Sequence, residues 1–252
     1  MVACFWLVIY NLIARRSTAK MDGRFTPKQF GTMPRWAALR LVRQLPWKGN
    51  CHLQIGQYLS FLESVLTPRR LRHSLGVKGV MEELAGVYSL NRERAGLTGL
   101  FHDAAKDMDR EHQMALAEEA GIDIRYPCER DPFYLHGPVG AYVVSRQLEV
   151  HDPVVLSAIS MHTFCGQEGS GLDFPLLWCL RFADLLEPTR GEWARKRELK
   201  ELAYAGQMEE AALFETRLIL VWFKENGTPV HPNMVEVCKH LSAKLEGNQP
   251  EC

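Results

Sequence analysis

The chain has 252 residues, 46% of them hydrophobic and 24% charged, enough to bury a sizeable core in one large domain or two small ones. Its 30 Lys and Arg balance 30 Asp and Glu to a net charge of +0, so bulk electrostatics makes no case for nucleic acid or an anionic membrane as partner. The 7 cysteines, odd in number and without a C-x-x-C pair, fit neither a zinc ribbon nor a disulfide framework; reduced thiols in a cytoplasm are the expectation.

Residues 3–14 are apolar and precede Arg15 and Arg16. The run is shorter than the ~20 residues that span a bilayer and lacks the basic start of a secretory signal. No stable membrane insertion is expected. The readings are a loose extension, a start placed too early with Met21 or Met33 as the later one, and a membrane-surface anchor. Residues 17–50 carry Gly, Pro, Lys and Arg punctuation, with one short helix expected over 36–45. The expected division is a poorly defined extension over 1–50, a helical domain over 51–247 and a frayed tail over 248–252.

From Cys51 onward the apolar spacing is helical and period-two alternation is scarce, which predicts an all-α fold. Thr67-Pro68 caps and opens a helix to about Tyr88, with Val77, Val80, Leu84 and Val87 as its stripe and His73 on the same face. Asn91 caps the next helix, which ends in Leu100-Phe101-His102-Asp103-Ala104-Ala105-Lys106-Asp107. On a helical wheel His102, Asp103 and Lys106 share a side with the small Ala95 and Gly99, leaving room for a metal and an anion. Asp109 caps a further helix that Gly121 closes. In Leu135-His136-Gly137-Pro138, Gly137 predicts a sharp turn and Pro138 a helix start. His136 then falls just before a helix N-terminus, where anions are favoured.

Asp152-Pro153 opens a helix whose apolar face carries Val155, Ala158, Ile159 and then His162. A Gly-rich loop over 165–171 follows, as lid or plain connection. Pro175 opens a helix that sets Asp184 four residues after Leu180; a carboxylate on a leucine stripe is costly unless paired or metal-bound. Arg181, Glu187 and Arg190 are the charges nearby. Helices over about 192–205 and 208–225, and one from His231-Pro232 to about Leu245, complete the pattern.

His73, His102, Asp103, His136, His162 and Asp184 thus lie on separate helices or helix ends, several on faces that must turn into one core. A bundle can gather such positions at its centre. The donors are N and O without thiolate, which suits Fe, Mn, Co, Ni or Zn and argues against a thiolate-rich structural zinc. A metal there lowers the pKa of a bound water and polarises a phosphoryl oxygen; Lys106 and Arg190 would neutralise phosphate charge. Taken singly, each group has a plainer reading: His73 a core histidine, His136 a helix-entry residue, Asp184 half of a salt bridge.

The order His … His-Asp … His … His … Asp resembles the HD-domain metal-dependent phosphohydrolases. Arg72-His73-Ser74-Leu75-Gly76-Val77, Leu100 through Lys106, Leu135-His136-Gly137-Pro138-Val139-Gly140-Ala141, His162-Thr163, Ala183-Asp184-Leu185-Leu186-Glu187-Pro188-Thr189-Arg190 and the later His231-Pro232 resemble the YqeK branch, over roughly 55–245. The resemblance implies an HD-domain helical bundle with a metal site at its centre. It also implies symmetrical hydrolysis of diadenosine tetraphosphate to two ADP by a metal-activated water. An iron-type divalent metal, with Mn, Co, Ni or Zn as alternatives, would be held by His73, His102, Asp103 and Asp184. His136 and His162 would complete a second metal position or bind phosphate. Asp103 and Lys106 would be catalytic, and His73, Lys106, His136, His162, Thr163, Arg190 and His231 would contact substrate. The expected partner is a dinucleoside polyphosphate, with a homodimer left open and the cytoplasm as compartment. The competing readings are another HD-type nucleotide phosphohydrolase (a nucleotidase or cyclic nucleotide phosphodiesterase) and a non-catalytic nucleotide-binding module. The loop after His162-Thr163 is longer than the branch leads one to expect, and residues 1–50 have no counterpart in it.

Overall fold

The computed structural model describes residues 55–165 and 174–247. The expectations for the N-terminal extension, most of the Gly-rich loop and the tail lie outside the described residues. The chain divides into two units. Residues 49–150 and 155–252 form the one that carries every candidate site residue; the other joins 1–48 with 151–154, of which only 151–154 are described.

The described residues are helical and contain no strand: α1 (Ile55–Val65), α2 (Pro68–Val87), α3 (Arg92–Phe101), α4 (Arg110–Glu119), α5 (Pro132–Gln147), α6 (Pro153–Met161), α7 (Pro175–Leu186), α8 (Lys196–Tyr204), α9 (Met208–Asn226) and α10 (Pro232–Glu246). Short 3₁₀ turns occupy Pro127–Arg130 and Pro188–Arg190. None of these helices is long and apolar enough to cross a membrane.

Local chemistry sets the starts. Thr67 Oγ1 accepts the Arg70 N–H at 3.3 Å, Asn91 Oδ1 the Arg94 N–H at 2.8 Å and Asp109 Oδ1 the His112 N–H at 2.7 Å, each satisfying an orphan donor of a first turn. Thr67 is itself tied down: its N–H and hydroxyl both donate to Asp107 Oδ2, at 2.8 and 2.9 Å. That bond fixes the start of α2, and with it His73, against the turn that follows α3.

Helix α2 packs along α3 and α7, and α7 also packs on α3, α8 and α9. The buried face of α2 holds His73, Val77, Val80, Met81 and Leu84, with Met81 in place of Val87, which is exposed. The close approach of α2 and α3 depends on Gly99. A Cβ there would lie 2.9 Å from Lys78 Cα and 3.0 Å from Lys78 N. Gly99 therefore admits a neighbouring helix, not a ligand, which corrects the helical-wheel expectation at that position. Helix α3 also ends at Phe101. Residues 102–107 form tight turns, closed by Ala104 N–H to Phe101 O at 3.1 Å and Lys106 N–H to Asp103 O at 2.9 Å.

Two further boundaries differ from expectation. Helix α5 starts at Pro132, capped by Asp131 Oδ1 on the Phe133 N–H at 2.8 Å, so His136 and Pro138 lie inside it. Pro138 lacks the N–H that would bond Tyr134 O, and the Thr163 hydroxyl donates to that carbonyl instead, at 3.3 Å. Gly137 serves a close approach, not a turn: a Cβ there would meet the Ile159 and Ser160 carbonyls at 3.0 and 3.1 Å. Helix α8 begins at Lys196, later than expected. Cys128, Cys165 and Cys179 are free thiols.

Candidate metal centre

Helices α2, α3, α5, α6 and α7 deliver six side chains to one place. His73 comes from α2, His102 and Asp103 from the turn after α3, His136 from within α5, His162 just past α6 and Asp184 from the last turn of α7. Asp103 stands in the middle. Its Oδ2 is 3.7 Å from His73 Nε2 and 3.5 Å from His102 Nε2. Its Oδ1 is 3.1 Å from His136 Nε2 and 4.0 Å from His162 Nε2. Asp184 Oδ1 adds contacts of 3.0 Å to His73 Nε2 and 4.0 Å to His102 Nε2. His73, His102 and Asp103 could share one cation, and Asp103, His136 and His162 another.

The outer nitrogens decide what the inner ones offer. His102 Nδ1 lies 2.8 Å from Gly99 O, His162 Nδ1 2.7 Å from Ile159 O and His73 Nδ1 2.8 Å from Glu187 Oε1. A carbonyl and an ionised carboxylate only accept, so in all three rings Nδ1 carries a proton, and in the neutral ring Nε2 is left with its lone pair. His102 Nε2 is buried without a hydrogen-bond partner, and His73 Nε2 meets only the Asp184 carboxylate oxygen at 3.0 Å; a lone pair so placed is costly unless something electrophilic meets it. His136 is different. Its Nδ1 is 3.1 Å from Pro132 O and 3.3 Å from Lys106 Nζ, so its proton can rest on either nitrogen. With the proton on Nδ1, His136 Nε2 and His162 Nε2 face each other as two lone pairs 3.1 Å apart, an arrangement that needs a cation between them. The donors present thus fit a metal.

The electrostatics agree with a ligand set. Burial pushes the Asp103 carboxyl up, but His102, His136 and Lys106 outweigh it and hold it well below the usual range. Asp184 is held low in the same way, with His73 and Arg190 overcoming burial. Burial pushes His162 well down, helped by His136 and His102; His136 falls through burial and Lys106. Ionised carboxylates and neutral imidazoles are the forms a metal binds. In His73 burial is outweighed by Asp184 and Glu187, and the ring's affinity for a proton rises.

Cations line the opening. Arg70 NH1 donates to Asp103 Oδ2 at 2.8 Å, and Arg190 NH2 to Asp184 Oδ1 at 2.5 Å. Lys106 is partly buried, and burial lowers its pKa against the pull of Asp103 and Asp184. Of the charges near Asp184 in sequence, only Arg190 pairs with it. Arg181 instead holds Glu215 through NH2 at 2.7 and 2.8 Å and donates from NH1 to His162 O at 2.6 Å, anchoring the His162 turn from behind. Glu187 turns to His73.

Two of the expected substrate contacts, His231 and Thr163, are buried and hydrogen-bonded within the fold. His231 is fully buried: its Nε2 bonds Glu129 Oε1 at 2.9 Å and its Nδ1 accepts the Asn233 N–H at 3.1 Å, capping α10. Both its ring nitrogens are engaged away from the cluster. Thr163 is also buried, and its hydroxyl proton is spent on Tyr134 O. Conversely, Arg70 escaped the sequence reading. The available signal was its position one turn before His73 on the same helix.

A family model for the HD domain matches residues 70–202. The chain is 28% identical over 175 residues to the symmetrical bis(5'-nucleosyl)-tetraphosphatase of Bacillus subtilis (strain 168), an alignment covering 69% of this chain and 90% of that one. It is 32% identical over 137 residues to the protein of the same name from Halalkalibacterium halodurans, covering 54% and 70% respectively. Among solved structures, a protein described as a predicted HD superfamily hydrolase involved in NAD metabolism, from Clostridium acetobutylicum, superimposes with a TM-score of 0.68 at 28% identity, covering 75% of this chain and 97% of that one. With the family model spanning more than half of its length, this chain belongs to the HD-domain family.

Proposed function

We propose that the chain is a metal-dependent hydrolase that cleaves diadenosine tetraphosphate symmetrically to two ADP. The observation that carries the chemistry is the convergence of the buried Nε2 atoms of His73 and His102 on the ionised carboxylates of Asp103 and Asp184. The substrate is supported by relatives named for that activity.

His73, His102, Asp103 and Asp184 would hold one ion. His136, His162 and the second oxygen of Asp103 would hold another. Iron is our first choice, as the resemblance to the YqeK branch implies; imidazole and carboxylate donors without thiolate equally admit Mn, Co, Ni and Zn. When bound, a divalent ion supplies an acidified water and neutralises charge on a phosphoryl oxygen. The chain does the rest. Asp103, oriented by Arg70, accepts a hydrogen bond from the attacking water and aims it at an inner phosphorus. Lys106 and Arg190 meet the charge that gathers on the departing ADP.

The test is turnover of the purified chain with iron or manganese, with products separated by chromatography. Two ADP is the expected result. AMP plus ATP would remove the symmetrical assignment, and hydrolysis of mononucleotides or cyclic nucleotides alone would move the chain to another HD phosphohydrolase activity.

A further inference from the structure

Beside the cluster, α5 and α9 present a pair of rings. Phe133 is half-buried and Trp222 is 44% exposed. Their centroids are 6.4 Å apart with an interplanar angle of 29°, a stacked geometry. Val221, next to Trp222, is 55% exposed. A surface helix ordinarily turns polar groups outward, so this apolar patch on α9 is out of pattern.

The patch is continuous with the cluster. Lys106 Nζ sits 4.6 Å from the Phe133 ring centroid and 3.3 Å from His136 Nδ1. The Phe133 ring is itself 6.4 Å from that of His136. One ammonium group and two ring-to-ring steps thus lead from the cluster to the surface. Phe133 is held in place by Phe223 at 5.3 Å and Tyr134 at 5.1 Å, so it is preorganised. A cation followed by a flat aromatic pair is the order in which a nucleotide presents its own parts, phosphates first and base last.

Resting on the reaction proposed above, we infer that Phe133 and Trp222 form the stacking platform for one nucleobase of the substrate, with Lys106 on the phosphates between base and cluster. Stacking reads the π-face of a base and tolerates different bases. The platform accordingly takes the base of a nucleoside diphosphate moiety by its flat face, without selecting one base by hydrogen bonds.

The test compares ADP with inorganic diphosphate by titration calorimetry on the full-length chain, as wild type, Trp222→Ala and Trp222→Phe. The expected result is that wild type binds ADP more tightly than diphosphate. Trp222→Ala should weaken ADP about tenfold and leave diphosphate unchanged, and Trp222→Phe should recover most of the loss. Equal ADP affinity in wild type and Trp222→Ala overturns the inference. So does a parallel loss of diphosphate binding, or a wild type that gains nothing from the base. If Trp222→Ala splits a dimer in sedimentation while ADP affinity is unchanged, the rings are a contact between copies and the inference falls. Binding is read without turnover. A wild type that fails to cleave diadenosine tetraphosphate therefore removes the proposed reaction while this comparison still gives its own answer.

Discussion

Glu187 Oε1 lies 2.8 Å from His73 Nδ1 and also accepts the Thr189 hydroxyl at 2.6 Å, while Glu187 Oε2 accepts the Thr189 N–H at 2.6 Å. Burial pushes the Glu187 carboxyl up, but Thr189 and His73 outweigh it and keep it ionised. The ring is thereby locked with Nε2 inward. Glu187→Gln keeps the shape but brings an amide that can donate to Nδ1, which frees the proton to move to Nε2. Metal affinity should fall about 10- to 100-fold, read by metal titration of the apo chain. Wild-type affinity in the variant would show that Glu187 does not orient His73.

Asp103 faces two histidine pairs through its two oxygens. Replacing it removes a ligand from both positions at once. Asp103→Ala should reduce turnover on the order of a thousandfold and lower the metal content measured by mass spectrometry, while the helical circular dichroism remains. A variant that keeps both metal content and turnover would break the proposed arrangement.

The helices were legible because their signals are local. Thr67, Asn91 and Asp109 cap the first turns they precede, and the stripe of α2 needs only its own spacing. What was misread depends on distant chain. Leu135-His136-Gly137-Pro138 looks like a helix start, because a proline inside a helix costs a hydrogen bond. Thr163, from beyond α6, restores a donor to the Tyr134 carbonyl, and nothing near Pro138 announces it. The same holds for Gly99. Its smallness is plain in the sequence, but what fills the space is Lys78 on another helix. The six site residues could be nominated from the pattern and the resemblance. Which nitrogen each ring turns inward depends on Gly99 O, Ile159 O and Glu187, and becomes visible only in the fold.

Glu129 and His231 give a pH-dependent prediction. Burial pushes the Glu129 carboxyl up, but the His231 ring and the N–H groups of Arg125 and Tyr126 outweigh it and hold it below the ordinary 4.5. A carboxyl lower in the folded than in the unfolded chain adds stability above the unfolded value and loses it as pH falls through the folded one. Glu129→Gln should therefore cost about 1–3 kcal/mol near neutral pH. The gap to wild type should close as pH drops through 4.5 and below. Urea unfolding of both chains across that window checks it; a gap that stays constant would mean the charge on Glu129 contributes nothing.

Gly99 couples helix packing to the site. It lies three residues before His102, whose Nδ1 bonds the Gly99 carbonyl, and its Cα faces the Lys78 backbone. A methyl group there would stand 2.9 Å from Lys78 Cα, and a backbone neighbour cannot rotate away as a side chain can. Helices α2 and α3 must then part. That separation should cost about 1–3 kcal/mol, as overpacking does, even though alanine favours the helix intrinsically. It should also draw His102 on α3's end away from His73 on α2, whose rings are now 5.2 Å apart. Gly99→Ala should thus lose metal affinity along with melting temperature. Gly86, on helix α2 with open space around its missing Cβ, is the control: Gly86→Ala should keep metal affinity and hold or raise the melting temperature. Equal behaviour of the two variants would show that the spacing of α2 and α3 does not set the geometry of the site.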